Sequence, residues 1–294
     1  MFRMSDFKLD VHRDSDFSAT GPYDGNGKSL ISFAAGERYL NAALENPAVV
    51  AVIVPESLVG PALAREGVGV AVSEHPRETF FQLHNHLAQA LTDSLPPPLV
   101  EEGAEVAHTA RLAPGCVIRA GAQVMDMAFV GAGTVIEDGV FIGEAALVGV
   151  NGHFDQHLSG RRLRVEHVGR VRVCSGAQIL AGAIVQRDVY DVETMIGADA
   201  VIGPGVRVAH GVTVGVNSVL AGGTIVAGYT EIGRDVWVGP GSTIGNNLEI
   251  GNSARIEIGS VVVSSVAEKQ RVSGNFALPH TRNLRIWREN GASK

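Results

Sequence analysis

From Ile196 to Val263 the chain repeats itself every six residues. Ile196, Ile202, Val208, Val214, Leu220, Val226, Ile232, Val238, Ile244, Ile250, Ile256 and Val262 lead successive hexads, and all are aliphatic. Ten of the twelve residues that follow them are Gly or Ala. A helical period drifts off a six-residue frame within two turns, so the pattern excludes an amphipathic helix. A hexad led by an aliphatic residue predicts a parallel β-helix: a triangular prism with one hexad per face and about eighteen residues per coil. The aliphatic lead points inward and small residues let the backbone turn each corner.

A second tract in the same frame runs through Val106, Leu112, Ile118, Val124, Val130, Ile136, Ile142 and Val148. The frame then breaks across His153 to Val168, a polar stretch rich in His and Arg. It resumes at Val173, Ile179 and Val185, and slips again across Gln186 to Met195. Loops on a regular scaffold are where function is added, so these two interruptions are the first places to look for a site.

Ahead of the prism, residues 28–95 predict a small α/β domain, with strands at Leu30–Ala35, Val49–Val54 and Val68–Val72. Helices are expected at Glu37–Leu44, Leu58–Arg65 and from Pro76 to Asp93, the last opened by a proline at a tolerated position. Residues 1–27 read as a loosely held arm, and Ser94 to Glu105 as a linker stiffened by three prolines. The prism is expected over 106–267 and a mildly basic tail over 268–294. The tail must cover the last coil, and the α/β domain can cover the first.

Composition narrows the function classes. A net charge of −7 and the lack of a basic, aromatic-laced stripe argue against nucleic acid as a partner. The charged opening is no signal peptide, and no apolar run is long enough to span a membrane. Cys116 and Cys174 read as small fillers in a reducing compartment, which fits a cytoplasmic protein. His153, His157 and His167 lack fixed acidic or thiol neighbours and read as solvated loop residues rather than a metal site. His84 and His86 read as a solvated helix face.

His210, third in the hexad Val208-Ala-His-Gly-Val-Thr, is the sharpest candidate for chemistry. In this reading it lies within a β-face. Gly228, eighteen residues on, should lie directly above it, and position 192 directly below, flanked by Asp191 and Glu193. An imidazole between a carboxylate and a bare glycine amide suits acyl transfer. The ring takes a proton near neutrality, and the amide donates to a developing oxyanion.

These residues resemble the UDP-3-O-acylglucosamine N-acyltransferases of lipid A biosynthesis, and hexapeptide-repeat sugar acyltransferases more broadly, over roughly 28–290. The resemblance is strongest in VAHGVTVGVNSVLAGGTIVAGYTEIG (208–233), where the family's histidine base falls on His210. VGVNGHF (148–154) and HVGRVRV (167–173) resemble the family's segments on either side of its inserted loop. LISFAAGERYL resembles a uracil-binding motif whose stacking aromatics fall on Phe33 and Tyr39. Gly274 to Arg288 resembles the family's ending, with Trp287 and Arg288 in place. Three departures stand out: the uridine motif's Asn falls on Gly36, a second family His falls on Asn247, and an Asp-Arg-Gly loop reads Gln186-Arg187-Asp188 with one extra residue. The family's long C-terminal helix, which helps dock acyl carrier protein, has no counterpart before Lys294.

The resemblance implies a left-handed β-helix, against the usual right-handed crossover rule, assembled as a homotrimer. It implies transfer of an acyl group from an acyl carrier protein or CoA thioester to the amine of a UDP-amino sugar. His210 would be the base, Gly228 the oxyanion donor, and Asp191 or Glu193 the group orienting His210. Phe33, Tyr39 and Asn247 would bind substrate, with no permanently bound cofactor and no metal. The alternatives are acetyl-CoA-dependent O-acetylation of another acceptor and a non-catalytic nucleotide-binding scaffold.

Overall fold

The computed structural model describes residues 1–25, 27, 29–274, 281, 282, 285 and 286. Three parallel sheets of eight, eight and nine strands form the faces of a prism. Most of their strands are two residues long, one residue pointing out and the hexad lead pointing in. Uninterrupted coils repeat every 18 residues, as in Thr213 opposite Glu231 and Val219 opposite Trp237. The leads from Ile118 to Val262 stack into one continuous aliphatic core. Burying each one is worth roughly 1.5–3 kcal/mol, and this summed burial holds together faces that have almost no local contacts of their own.

The prism starts earlier and ends later than the sequence reading expects. Leu99–Val100 already pairs with Val117–Ile118, so the linker shrinks to the stretch just before Leu99. At the other end Arg271–Val272 pairs with Arg255–Ile256. Lys269 and Arg271 therefore belong to the last rung rather than to a tail. Trp287 and Arg288 lie outside the described residues.

The interruptions cost the prism nothing in phase. Across the first, Ile136 pairs with Val173; across the second, Val173 pairs with Ile196. The first insertion folds as an antiparallel hairpin, Asp155–Leu158 against Arg161–Arg164.

The α/β domain is a five-stranded sheet in the order Asp10–Arg13, Gly69–Val72, Val49–Val54, Leu30–Phe33, Ala19–Thr20. The two outer strands come from the expected arm. That stretch is therefore not loose: it supplies both sheet edges, and Met4 and Phe17 are fully buried. The alternation of Phe7, Leu9 and Val11 was the period-two signal for it. Helices Glu37–Glu45 and Pro76–Asp93 form where the sequence places them.

The domain does not cap the end of the prism. It packs against the flank, where Phe80, Phe81, Leu83 and Leu87 of the long helix share one core with Leu158, Val165 and Val189 of the two insertions. Polar contacts lock the same surface. Asn85 Nδ2 donates to the Arg164 carbonyl at 2.8 Å, and the Glu166 amide donates to Asn85 Oδ1 at 2.9 Å. Arg77 donates to Gln156.

Candidate active site

His210 sits at a prism corner and not within a face. The chain leaves the strand Arg207–Val208, turns through His210 and Gly211, and re-enters at Thr213–Val214. Gly211 has φ 66°, a left-handed conformation that glycine adopts without strain. Gly228 stands one coil beyond, as the spacing predicts. A Cβ on Gly228 would lie 2.7 Å from His210 Cε1 and 3.0 Å from Nε2. Only glycine lets the imidazole lie this close to the next coil's backbone. The Tyr229 amide donates to the His210 carbonyl at 3.0 Å, tying the two corners together.

The corner beneath His210 carries extra residues: counting back from Met195, which pairs with Thr213, places Val192 opposite His210, as the spacing predicts. The insertion between coils shifts the register so that Val185 pairs with Val208. Counting forward from Val185 places Arg187 opposite His210 as well, so the stretch from Arg187 to Val192 fills this one corner. The rung under Gly211 is marked by Thr194, whose Oγ1 accepts the Gly211 amide at 2.9 Å.

Three rings surround the half-buried imidazole edge-on: Tyr229 at 4.8 Å, Phe154 at 5.7 Å and His167 at 6.1 Å between centroids. Burial lowers the His210 pKa, since the charged ring loses its water. Nδ1 is buried without a hydrogen-bond partner in the chain, whereas Nε2 is not among the buried unpartnered atoms. Nε2 is thus the nitrogen open to a ligand.

Asp191 and Glu193 do not orient this ring. Arg170 Nη2 donates to Asp191 at 2.9 Å, and Arg172 grips Glu193 through two bonds of 2.9 and 3.1 Å. Arg172 also holds Glu137, and its pKa is raised by these partners. The carboxylate beside the His210 corner is Asp188, which is fully buried. Its Oδ1 accepts the Tyr190 amide at 2.8 Å, and Oδ2 has no partner. Desolvation pushes its pKa up to about 6.

The loop histidines are not one solvated group. His153 and His157 are exposed, but His167 is buried and its Nε2 accepts the Gly152 amide at 3.2 Å. Burial first, then the neighbouring His210 and Arg187, lower its pKa to about 4. His84 also departs from expectation. It is buried between Thr20 Oγ1 at 2.6 Å and the Glu166 carbonyl at 2.7 Å, joining an edge strand, the long helix and the first insertion. His86 is exposed.

Phe33 packs on Phe80 at 5.0 Å and Phe81 at 6.1 Å. Tyr39 is 47% exposed and leans on Tyr23 at 5.4 Å. No ring contact joins Phe33 to Tyr39 among the described residues. Gly36 stands just before the helix that carries Tyr39, and its carbonyl accepts the Tyr39 amide at 3.1 Å.

A cleft of about 690 Å³ separates the α/β domain from the prism. One wall carries Thr20, Gly21, Pro22, Asp24, Gly25 and Gly27; the other is built from Asp188, Tyr190, Gly211, Tyr229 and Asn247. Asn247 lies one coil beyond Tyr229, and its amide donates to the Gly228 carbonyl at 3.1 Å. Asp24, Asp188, Asp191, Glu193 and Glu231 line the cleft, and no lysine or arginine does among the described residues.

Sequence reasoning missed Asp188, His167, Tyr229 and Phe154. Tyr229 was within reach of it, being one coil after Gly211. The others were not, because their positions depend on how the insertions fold back.

No protein-family model matches the chain, and no curated protein does. Solved structures do. A UDP-N-acetylglucosamine acyltransferase from Campylobacter jejuni is similar at 21% identity with a TM-score of 0.51, covering 66% of this chain and 81% of its own. One from Francisella novicida is similar at 18% identity with a TM-score of 0.50, covering 66% and 72%. At these identities the likeness shows the fold, a left-handed parallel β-helix.

Proposed function

We propose that the protein is an acyltransferase that moves an acyl group from a carrier-protein or CoA thioester to the amine of a UDP-amino sugar. One observation carries this reading: the His210 imidazole sits against bare Gly228 with Nε2 open, beside a cleft that reaches the α/β domain. The acceptor nitrogen attacks the thioester carbonyl while His210 Nε2 takes its proton. The carbon–sulfur bond then breaks, and the imidazolium returns the proton to the thiolate. Burial favours neutral imidazole, the form a base needs. The Gly228 amide makes no hydrogen bond within the described chain and is the oxyanion donor in this scheme.

The nucleotide end is assigned to the α/β domain. The Tyr23–Tyr39 pair stands beside the turn that forms one cleft wall, and Phe33 lies at the end of the neighbouring strand. A second copy of the chain fits the prism's outer faces. Ile225 and Val261 on one sheet and Trp237 on another are all exposed, and a trimer would cover them. No helix among the described residues is long and apolar enough to cross a membrane.

One observation favours a second reading. An acidic cleft repels a diphosphate, which suits O-acetylation of an acceptor that carries no nucleotide.

The test is acyl transfer from an acyl-CoA and an acyl carrier protein to UDP-amino sugar and to sugars without the nucleotide. His210→Ala should lower kcat by about 10²–10⁴-fold with little change in KM. Near wild-type turnover in that variant would exclude the base assignment, and no transfer by the wild type to any acceptor would leave the scaffold alternative.

A further inference from the structure

Four buried polar atoms without partners in the chain gather around His210: His210 Nδ1, Asp188 Oδ2, His167 Nδ1 and Tyr229 Oη. Buried polar groups are normally paired, so such a gathering calls for a shared partner. Their donor and acceptor roles can be worked out. The Gly152 amide donates to His167 Nε2, so neutral His167 carries its proton on Nδ1 and is a donor. A His210 that accepts a proton at Nε2 must likewise carry its own on Nδ1. That Nδ1–H needs an acceptor, and His167 cannot supply one. Asp191 and Glu193 are held by Arg170 and Arg172. The unpartnered carboxylate oxygen is Asp188 Oδ2.

Geometry places it at the right corner. Asp188 Oδ2 lies 2.4 Å from where a Cβ on Gly211 would stand, and the Tyr229 ring lies 2.5 Å from that same point. Gly211 directly follows His210, so the bare glycine is what admits the carboxylate and the phenol next to the imidazole. Asp188 cannot swing away. Its Oδ1 accepts the Tyr190 amide, and its carbonyl accepts the Gly169 amide at 3.1 Å.

We infer that Asp188 is the positioning residue for His210, accepting from Nδ1–H through one bridging water that Tyr229 Oη also holds. A buried water typically has two to four polar partners, the number gathered here. This arrangement fixes the tautomer that leaves Nε2 free, and it rests on the reading of His210 as a base. The titratable or charged groups facing the pair are His167 and Arg187 from the insertions, Tyr190, and Tyr229 from the next coil. Asp24 acts on both tyrosines, and Arg77 on Tyr190.

The experiment is ¹⁵N NMR of the histidine rings in the full-length protein, wild type and Asp188→Asn, across pH 5–8. The expected result is His210 protonated on Nδ1 in the neutral wild type, and a loss of that preference in Asp188→Asn. Where acyl transfer is measurable, Asp188→Asn should lower kcat by roughly 10²-fold or more at nearly constant KM, by analogy with losing the orienting acid of a catalytic triad. A wild-type His210 protonated on Nε2 would overturn the inference even if the variant failed to fold. So would an unchanged tautomer in a folded Asp188→Asn. The ring spectra decide the role of Asp188 without any turnover, whereas His210→Ala kinetics decide the proposed function, so the two can fail separately.

Discussion

The coils from Ile196 to Val262 and the interrupted zone from Gly149 to Met195 differ in how they bury polar side chains. In the regular coils Ser218, Thr224, Thr230, Ser242 and Ser260 are buried, and each hydroxyl donates to a carbonyl at 2.7–3.0 Å. In the interrupted zone Gln156 and Thr194 are paired too, but the ionisable Asp188 and His167 are buried with one atom each left unpartnered, near the unpartnered His210 Nδ1 and Tyr229 Oη of the adjoining coils. A strict repeat can satisfy a polar group with its own neighbouring backbone. An insertion loses that periodic partner and must take one from elsewhere, and this is where the cleft lies. The difference separates a part built for stability from a part that accepts strain for a site.

The largest effect should come from the regular part. Ile202→Ala removes a fully buried lead and should cost about 2–5 kcal/mol in chemical denaturation. If hydrogen exchange showed the insertions surviving while these coils opened, the comparison would be reversed.

An acid titration should single out the interrupted zone. His84 and His167 have folded pKa values lowered by burial, so the unfolded chain binds more protons than the native one. Their stabilisation is complete above about pH 6.5 and is lost as the pH falls from there to about 4. Asp188 acts oppositely. Its raised pKa makes the native state bind the extra proton, so its penalty fades as the pH falls through about 6 towards 3.8. The two histidines act together against it, and urea unfolding at pH 7 and pH 4.5 should show a net loss of stability at the lower pH. Asp188→Asn removes the offset and should steepen the loss. An equal slope in the two proteins would mean Asp188 titrates normally.

Nucleotide binding tests whether the site extends into the α/β domain. Tyr39→Ala should weaken UDP-sugar binding by about 1–3 kcal/mol in calorimetry, the usual worth of one stacked base. Equal affinities in the two proteins would confine the site to the prism side of the cleft. The smallest effect should be Ser242→Ala, which removes a single satisfied bond to the Glu257 carbonyl. A cost of about 1 kcal/mol is expected, and a much larger one would show that these hydroxyls do more than satisfy the backbone.

Much of the fold was legible because the hexad carries its own register. Val208, Val226 and Ile244 are inward rungs of one face at fixed spacing, and Gly228 meets His210 on that account. The same counting places Val192 opposite His210 from one side of the corner but Arg187 from the other, because the inserted loop adds residues at that height of the prism. Asp191 and Glu193 looked available in the sequence, but Arg170 and Arg172 reach them from the preceding coil. Burial of His84 and His167 was illegible for a related reason. It is created when the long helix docks on the insertions, a contact between segments about eighty residues apart.

The unbroken coil register also gives the prism a graduated scale. A residue moved by 18 positions keeps its orientation and changes only its height, by the roughly 4.8 Å that separates neighbouring strands. The corners at His210, Gly228 and the residue before Asn247 are successive marks on one edge. Transposing the imidazole from 210 to 228, with glycine left behind at 210, would shift a candidate reactive atom by one mark without redesigning the scaffold around it. Few folds allow a distance in a site to be changed in fixed steps by editing the sequence alone.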